Sequence, residues 1–371
     1  MDSRESRFAA EAGASPRPLR VLALTRYDLQ AASTRQRFAQ YVAYLAEHGV
    51  EVTLSPLVPS AWIEAVNEDR RRDPGMFRGA YLRRLKALRG RRDYDLVWAQ
   101  YELIPYAPGW VEALAARGPT PIVLDYDDAI FHSYDSHPNP LVRGLLGRKL
   151  EPLLSRAAAA MCGNAYLKAY AERFCPNSVI VPTVLDTGIY KPAEGLAAER
   201  PPAVGWIGSR TTWANVEPLL PFILPVLRAH GARLRVIGAG PGSRGIEGVD
   251  AVEWSEAGEV AELQAMDVGI MPLLDQPFQR GKCGYKLIQY MACGLPTLAS
   301  PVGVNSEILA DGSSGFLAAS PTEWADRLGA LLDDPALRAR MGAEGRRIAV
   351  ERYSLSSQQP RVLAILRAAA G

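Results

Sequence analysis

Lysine and glycine residues cluster between Arg280 and Lys286, directly before an apolar-periodic run that predicts a helix. The first turn of a helix presents backbone N–H groups without intrahelical partners, together with the positive end of the helix dipole. Gly284 would let the backbone approach a ligand closely, and Lys282 and Lys286 would add full positive charges. This combination suits a phosphate or diphosphate, although an ordinary loop with solvated lysines is the alternative.

Carboxylates form a second cluster, since Asp125, Asp127 and Asp128 lie within four residues at the end of a predicted strand. Like charges held this close disfavour one another unless the protein uses them. The Asp–x–Asp spacing would suit a divalent metal. We favour Asp127 or Asp128 as groups that orient a substrate hydroxyl, with His132 as a helper. The alternative is that one of them caps a helix ahead of Ala129.

Further polar residues follow other predicted strands. Gly208-Ser209-Arg210 is a small-residue turn that could approach a ligand, with Arg210 supplying charge or else facing solvent. Trp254 could wall a nucleobase, although a tryptophan after a strand is more often core. In the first strand–helix loop, Arg26 and Arg35 could face a cleft or lie on the surface.

The elements that would position these residues alternate between strand and helix, which predicts parallel sheets covered on both faces. A helix is predicted from about Ser33 to His48, with Ser33 or Thr34 as its N-cap and Gly49 at its end. Three helices are predicted from Pro321 to Ala370. Strands are predicted at Leu19–Thr25, Val50–Leu54, Leu96–Ala99, Ile122–Leu124, Ala159–Cys162, Val179–Val181, Val204–Ile207, Leu234–Ile237, Val268–Met271 and Thr297–Ala299.

Composition narrows the function classes. The 371 residues suit two domains, and a net charge of +2 favours neither a nucleic-acid binder nor an acidic-tail protein. The four cysteines have no zinc or disulfide spacing, and we expect free thiols in the cytoplasm. Residues 69–93 are basic, with Phe77, Tyr81, Leu85 and Leu88 at helical spacing. The helix over 77–92 is predicted either to pack on the sheet or to touch an anionic membrane surface.

The C-terminal half carries a recognisable signature. The residues from Gln289 to Ser300 read Gln-Tyr-Met-Ala-Cys-Gly-Leu-Pro-Thr-Leu-Ala-Ser, and Gly303, Glu307, Asp311-Gly312 and Gly315-Phe316-Leu317 follow. This stretch resembles the signature of family 4 glycosyltransferases, in which two glutamates with seven residues between them lead into Ala-Met-Ala-Cys-Gly. Here Gly281 and Gln289 occupy the glutamate positions, and the chain is similar to a bacterial subset with Gly-Lys-x-x-Tyr-Lys. The resemblance is specific over 201–320 and weaker over 20–190.

The resemblance implies an α/β protein of the GT-B type, with two doubly wound Rossmann-like domains facing each other across a cleft. It divides the chain into a disordered leader (1–18), an acceptor domain (19–190), a linker (191–202), a donor domain (203–350) and a helix crossing back to the first domain (351–371). In the family the first glutamate contacts the donor sugar and the second holds the ribose. Gln289 could still hydrogen-bond a ribose through its amide.

The expected activity is transfer of a sugar, with retention of configuration, from a nucleotide-diphosphate donor to a hydroxyl of a glycan, lipid-linked or small-molecule acceptor, without a metal. The rivals are a nucleotide-sugar epimerase and a non-catalytic sugar-nucleotide-binding scaffold. Catalytic roles fall to Asp127, Asp128, Arg210 and Lys286, and acceptor-side roles to Arg26, Ser33, Arg35 and His132. The expected donor site comprises Gly208, Ser209, Arg210, Trp254, Pro272, Leu273, Lys282, Gly284, Tyr285, Lys286 and Gln289.

Overall fold

The computed structural model describes residues 17–59, 74–194 and 200–371. Most of the predicted leader and part of the predicted linker lie outside these ranges, as does the start of the basic run. Within them the chain forms two parallel six-stranded sheets, with strand orders β2-β1-β3-β4-β5-β6 and β12-β11-β10-β7-β8-β9. No helix in the described ranges is long and apolar enough to cross a bilayer.

The first sheet, called the N-terminal sheet, belongs to residues 19–180. Its strands are β1 Leu19–Leu24, β2 Val50–Leu54, β3 Leu96–Gln100, β4 Ile122–Tyr126, β5 Ala159–Cys162 and β6 Ser178–Ile180. Its helices are α1 Ala32–Arg37, α2 Val42–Glu47, α3 Pro74–Gly90, α4 Gly109–Ala115, α5 His132–Asp135, α6 Pro140–Leu146, α7 Glu151–Leu154 and α8 Ala165–Ala171.

The second sheet, called the C-terminal sheet, belongs to residues 203–317. Its strands are β7 Ala203–Ile207, β8 Arg233–Ile237, β9 Val249–Val252, β10 Val268–Met271, β11 Thr297–Ala299 and β12 Gly315–Leu317. The helices are α9 Arg210–Trp213, α10 Leu220–Ala229, α11 Glu259–Gln264, α12 Pro277–Arg280, α13 Tyr285–Ala292, α14 Asn305–Ile308, α15 Pro321–Asp333, α16 Pro335–Tyr353 and α17 Leu355–Ala370.

Central strands of both sheets are buried and mostly apolar, as expected when helices cover both faces. Every residue of β4 is buried, and so is every residue of β10. The last three helices confirm the predicted helical ending. Helix α17 places Val362, Leu363 and Leu366 in the core of the N-terminal sheet.

The single helix predicted from Ser33 to His48 is wrong. It is broken at Phe38, which leaves helical geometry with φ −128° and ψ −64°. Phe38 is fully buried against Trp98, with ring centroids 4.4 Å apart, so core packing overrides helical continuity. The predicted N-cap is also wrong, because α1 starts after Ala31 without any side-chain cap, and Thr34 Oγ1 instead donates to the Tyr27 carbonyl.

Candidate functional site

The segment Gly281-Lys282-Cys283 lies directly against the loops that follow β4 and β5. A Cβ on Gly281 would lie 2.4 Å from the Ala129 Cβ and 2.9 Å from its backbone nitrogen. Asn164 Nδ2 donates to the carbonyls of Gly281 and Lys282, each at 3.0 Å. Position 281 therefore has no room for a side chain while the two sheets are in this arrangement.

The N-terminus of α13 has no side-chain cap. Its N-cap residue, Gly284, has φ 67° and no side chain that could accept from the first-turn N–H groups. A Cβ there would lie 2.2 Å from Ile308 Cδ1 and 3.1 Å from Val304 Cγ1, so a larger residue would also force the Ile308 side chain to shift. Gly294 follows the end of the helix with φ 75°, the left-handed conformation typical of a glycine at that position. The first-turn amides are thus left for a ligand or solvent.

Lys286, the second residue of α13, has no hydrogen bond or ion pair with any described residue. Its ammonium lies 5.6 Å from the ring centroid of Trp206. Burial and, to a smaller extent, the Lys282 charge lower the pKa of Lys286 to about 8, with Asp128 acting in the opposite direction. A half-buried cation without a counter-charge is the side chain that a bound anion would stabilise most.

Lys282, by contrast, is paired. Its Nζ donates to Asp128 Oδ1 at 2.8 Å across the two halves of the chain, and it lies 4.9 Å from the Phe278 ring centroid. The pKa of Lys282 is raised, because the attraction of Asp128 outweighs burial, which acts in the opposite direction. One of the two predicted lysine charges is therefore already neutralised by a carboxylate.

The three aspartates at the end of β4 and directly after it have separate contacts. Asp125 is buried and accepts from Arg37 at 2.7 and 3.2 Å. Asp127 accepts from the Tyr101 hydroxyl, and its pKa is raised by burial and then by the Asp128 charge. Neither Asp127 nor Asp128 caps a helix, because α5 begins only at His132 without a side-chain cap. The capping alternative is wrong.

A metal cluster is not evident in the described part of the chain. No group of three or more histidine, cysteine, aspartate or glutamate side chains there is arranged to hold an ion.

The acceptor-side residues are only partly brought together. Arg26 donates to Glu102 and to the Tyr106 hydroxyl, both at 3.2 Å. Arg35 reaches the C-terminal half, where its guanidinium lies 5.5 Å from the Trp254 ring centroid.

His132 does not join the aspartates. It contacts Asp135 at 2.9 Å and Tyr166 at 2.8 Å, and in the described structure it bonds to neither Asp127 nor Asp128. Ser33 lies within the first turn of α1 and caps nothing. The predicted helper role of His132 therefore has no supporting contact.

The turn after β7 is built from small residues, as predicted. A Cβ on Gly208 would lie 2.5 Å from the Trp206 ring, and one on Gly238 would lie 2.4 Å from the Gly208 carbonyl oxygen. Arg210 is exposed and pairs with no described side chain. Ser209 forms a capping box with Thr212, so its hydroxyl serves α9.

The turn after β10 follows the same edge of the sheet. Pro272 is buried, and the Leu273 amide donates to Ser300 Oγ at 3.0 Å. This turn is thereby tied to β11, next to the start of α13.

Sequence reasoning missed one residue, Glu259, at the start of α11. Its carboxylate accepts from Tyr190 at 2.5 Å, from Trp254 Nε1 at 2.5 Å and from Gln289 Nε2 at 2.6 Å. Gln289 thus has a fixed carboxylate partner. The only signal in the sequence was a carboxylate five residues after Trp254.

Residues 201–334 match the model of the family Glycosyl transferases group 1. A D-inositol 3-phosphate glycosyltransferase of Arthrobacter sp. (strain FB24) is 38% identical over 81 residues, which are 21% of this chain and 18% of that protein. The enzyme of the same name from Segniliparus rotundus is 30% identical over 216 residues, 51% of this chain and 46% of that protein. The chain therefore spans less than half the length of these curated relatives.

Solved structures are similar over nearly the whole chain. Anabaena HepE in complex with UDP and glucose has a TM-score of 0.67 at 15% identity, covering 94% of this chain and 100% of that one. WaaG, a glycosyltransferase involved in lipopolysaccharide biosynthesis, has a TM-score of 0.66 at 16% identity, covering 94% and 99%. Residues 201–334 thus match the glycosyl transferases group 1 family, and the whole chain has the GT-B fold.

Proposed function

We propose that this protein is a glycosyltransferase that moves a sugar from a nucleotide-diphosphate donor to an acceptor hydroxyl with retention of configuration. The observation that carries the proposal is the half-buried, unpaired Lys286 beside the uncapped N-terminus of α13. Backbone amides and a lysine at such a helix end bind phosphate groups well. The family match over residues 201–334 and the UDP-bound structure of the similar protein HepE support the same donor class.

The donor diphosphate would lie at the first turn of α13, where Lys286 and Arg210 would neutralise charge developing on the leaving group. Stabilisation of this kind is usually the largest catalytic contribution. Because the transition state resembles an oxocarbenium ion, the protein needs to position the acceptor more than it needs a strong nucleophile. A departing phosphate oxygen would take the acceptor proton. Asp127, near the domain boundary, would orient a hydroxyl.

The acceptor would be a glycan or lipid-linked hydroxyl compound held against the N-terminal sheet. A groove of about 560 Å³ between α3 and α4 combines apolar and cationic residues. Leu114 in its lining is 55% exposed and Leu82 on α3 is 67% exposed, an arrangement that fits an anionic membrane surface. The groove is lined by Leu85, Leu88, Arg89, Arg91, Arg92, Leu114, Ala115 and Arg117.

Thermal unfolding with UDP, GDP, ADP, TDP or CDP, each with and without Mg²⁺, tests the donor class. A ligand that binds only the folded state stabilises it by about 2.7 kcal/mol at ~100 times its Kd. One nucleotide should raise Tm without Mg²⁺. A shift that requires Mg²⁺ would contradict the metal-free donor site, and no shift with any nucleotide would favour the non-catalytic scaffold.

The Lys286→Ala variant locates the diphosphate. It should weaken nucleotide binding and turnover together, on the order of 10- to 100-fold, because it removes a charge-assisted hydrogen bond. Lys168→Ala is the matched control, because Lys168 is a surface lysine of α8 that pairs with Glu172 just after the helix. This variant should bind the nucleotide as the wild type does. Unchanged binding in Lys286→Ala would place the diphosphate elsewhere.

Vesicle sedimentation tests the membrane contact. The protein should sediment with phosphatidylglycerol-containing vesicles and not with pure phosphatidylcholine, because the attraction to the groove is partly electrostatic. Leu82→Glu and Leu114→Glu should release it, whereas Leu274→Glu, at a 40% exposed site near the C-terminal sheet, should not. Equal sedimentation of all variants would remove this surface from the proposal.

A further inference from the structure

Glu259 is surrounded by hydrogen-bond donors from three separate parts of the chain. Tyr190 follows β6, Trp254 follows β9, and Gln289 lies on α13. Their donor atoms lie 2.5, 2.5 and 2.6 Å from the carboxylate oxygens. All three donors are neutral, and within the described residues Glu259 has no cationic partner.

Neutral donors keep a carboxylate charged without consuming its charge in an ion pair. Two carboxylate oxygens offer about four lone-pair directions, and three are used here. Among the described residues, Oε1 accepts from Tyr190 and Gln289, whereas Oε2 accepts only from Trp254. Glu259 therefore retains acceptor capacity for a hydroxyl donor.

A continuous set of contacts connects this carboxylate to the proposed phosphate site. Lys286 lies over Trp206, and the Trp206 ring borders Gly208. Gly208 borders Gly238, on which a Cβ would lie 3.2 Å from the Trp254 Cβ. Between the lysine and the carboxylate this set of contacts thus runs through closely packed glycine backbone at positions 208 and 238.

We propose that Glu259 accepts a hydrogen bond from the ribose diol of the donor nucleotide, and that Gln289 and Tyr190 are positioning residues that orient its carboxylate. The inference rests on the proposed function. The phosphates would lie at Lys286 and the base beside Trp254, which is 38% exposed. The intervening ribose then meets a charged acceptor. Position 289 need not carry a carboxylate, because α11 supplies one.

Calorimetric titration with ribose and 2′-deoxyribose forms of UDP, GDP and ADP tests this assignment. The wild-type protein should bind the ribose form about tenfold more tightly, the effect of one hydrogen bond to a charged group. Glu259→Gln should weaken binding of the ribose nucleotide by about tenfold, because its hydroxyl loses a charged acceptor. Binding of the 2′-deoxyribose nucleotide should stay within about twofold, because it does not make that hydrogen bond. Tyr190→Phe should also reduce the preference for the ribose over the 2′-deoxyribose nucleotide, but by a smaller factor than Glu259→Gln.

The matched control is Glu262→Gln on the same helix, because Glu262 pairs with Arg235 away from the three donors. It should retain the wild-type preference. Equal losses for both sugar forms in Glu259→Gln would show a structural role and overturn the inference. If the wild-type protein binds a nucleotide without discriminating the sugar, only this inference fails. If it binds none of the six, the proposed function fails with it.

Discussion

The two halves of the molecule use buried charge differently. In the N-terminal half, Arg37 and Asp125 are each 1% exposed and bonded to each other. Lys149 is fully buried there and paired with both Glu102 and Glu112. In the C-terminal half, Lys286 and Arg210 have no partner among the described side chains.

This difference separates charges that are paired within the fold from charges that are free to pair with a ligand or with solvent. A buried charge whose partner is missing is costly, so a charge that serves the fold is expected to be fully paired. Lys286 breaks that rule at a helix end that also has no cap. The comparison therefore favours the C-terminal half as the side that would bind an anion, which is the site proposed above.

The largest expected effect is in the N-terminal half. Arg37→Met should lower the free energy of unfolding by about 3–5 kcal/mol, because it leaves Asp125 buried without a counter-charge. Urea unfolding monitored by circular dichroism measures the change. Adding Asp125→Leu should recover much of the loss. If Arg37→Met alone were as stable as the wild type, the distinction between the two halves would not hold.

Gly281→Glu places the glutamate typical of the family at a position packed against Ala129. We expect a loss of about 1–3 kcal/mol in unfolding free energy, or separation of the two halves, because the Cβ alone overlaps Ala129. Urea unfolding measures the loss of stability, and small-angle scattering detects a separation of the two halves. Gly144→Glu is the control, since a Cβ there meets no atom within 4 Å. A Gly281→Glu protein with wild-type stability and dimensions would contradict the packing argument.

The pH dependence of Lys286 gives an intermediate effect. With a pKa of about 8 in the free protein, its charge is present below pH 8, and nucleotide affinity should fall above it by up to about tenfold per pH unit. In the absence of nucleotide, the same group affects the stability of the protein in the opposite direction. The unfolded lysine binds more protons between about pH 8 and 10.4, so stability should rise with pH there. Calorimetry and urea unfolding from pH 7 to 10 measure both.

Lys286→Arg is the control for both measurements, because arginine keeps its charge throughout this range. Its nucleotide affinity should stay level to pH 10. If nucleotide affinity fell equally with rising pH in the wild type and in this variant, the pH dependence would belong to another group.

Much of the fold follows from local patterns. Strands buried on both faces are continuous apolar runs, so β4 and β10 are readable from sequence. Helix α13 is readable because Gly284 and Gly294 mark its ends. The strand before Trp254 was predicted without bounds, because only Val249 of β9 Val249–Val252 is buried. Strand β12 was not predicted, because Gly315–Leu317 has only three residues.

The site is less readable because its contacts join distant positions. Lys282 and Asp128 are 154 residues apart, and Tyr190 and Glu259 are 69 apart. No periodicity links such residues. The lysine cluster suggested two equivalent charges, whereas tertiary pairing neutralises Lys282 and leaves Lys286 unpaired.

The smallest expected effect is at the pair that joins the halves. Lys282 and Asp128 are 25% and 30% exposed, so solvent screens their attraction. A double-mutant cycle with Lys282→Met and Asp128→Asn should give a coupling below about 1 kcal/mol in unfolding free energy. A coupling above about 2 kcal/mol would mean that this pair resembles the buried pairs of the N-terminal half. Lys282 would then belong with the charges that stabilise the fold, which would leave Lys286 and Arg210 as the cations available to a diphosphate.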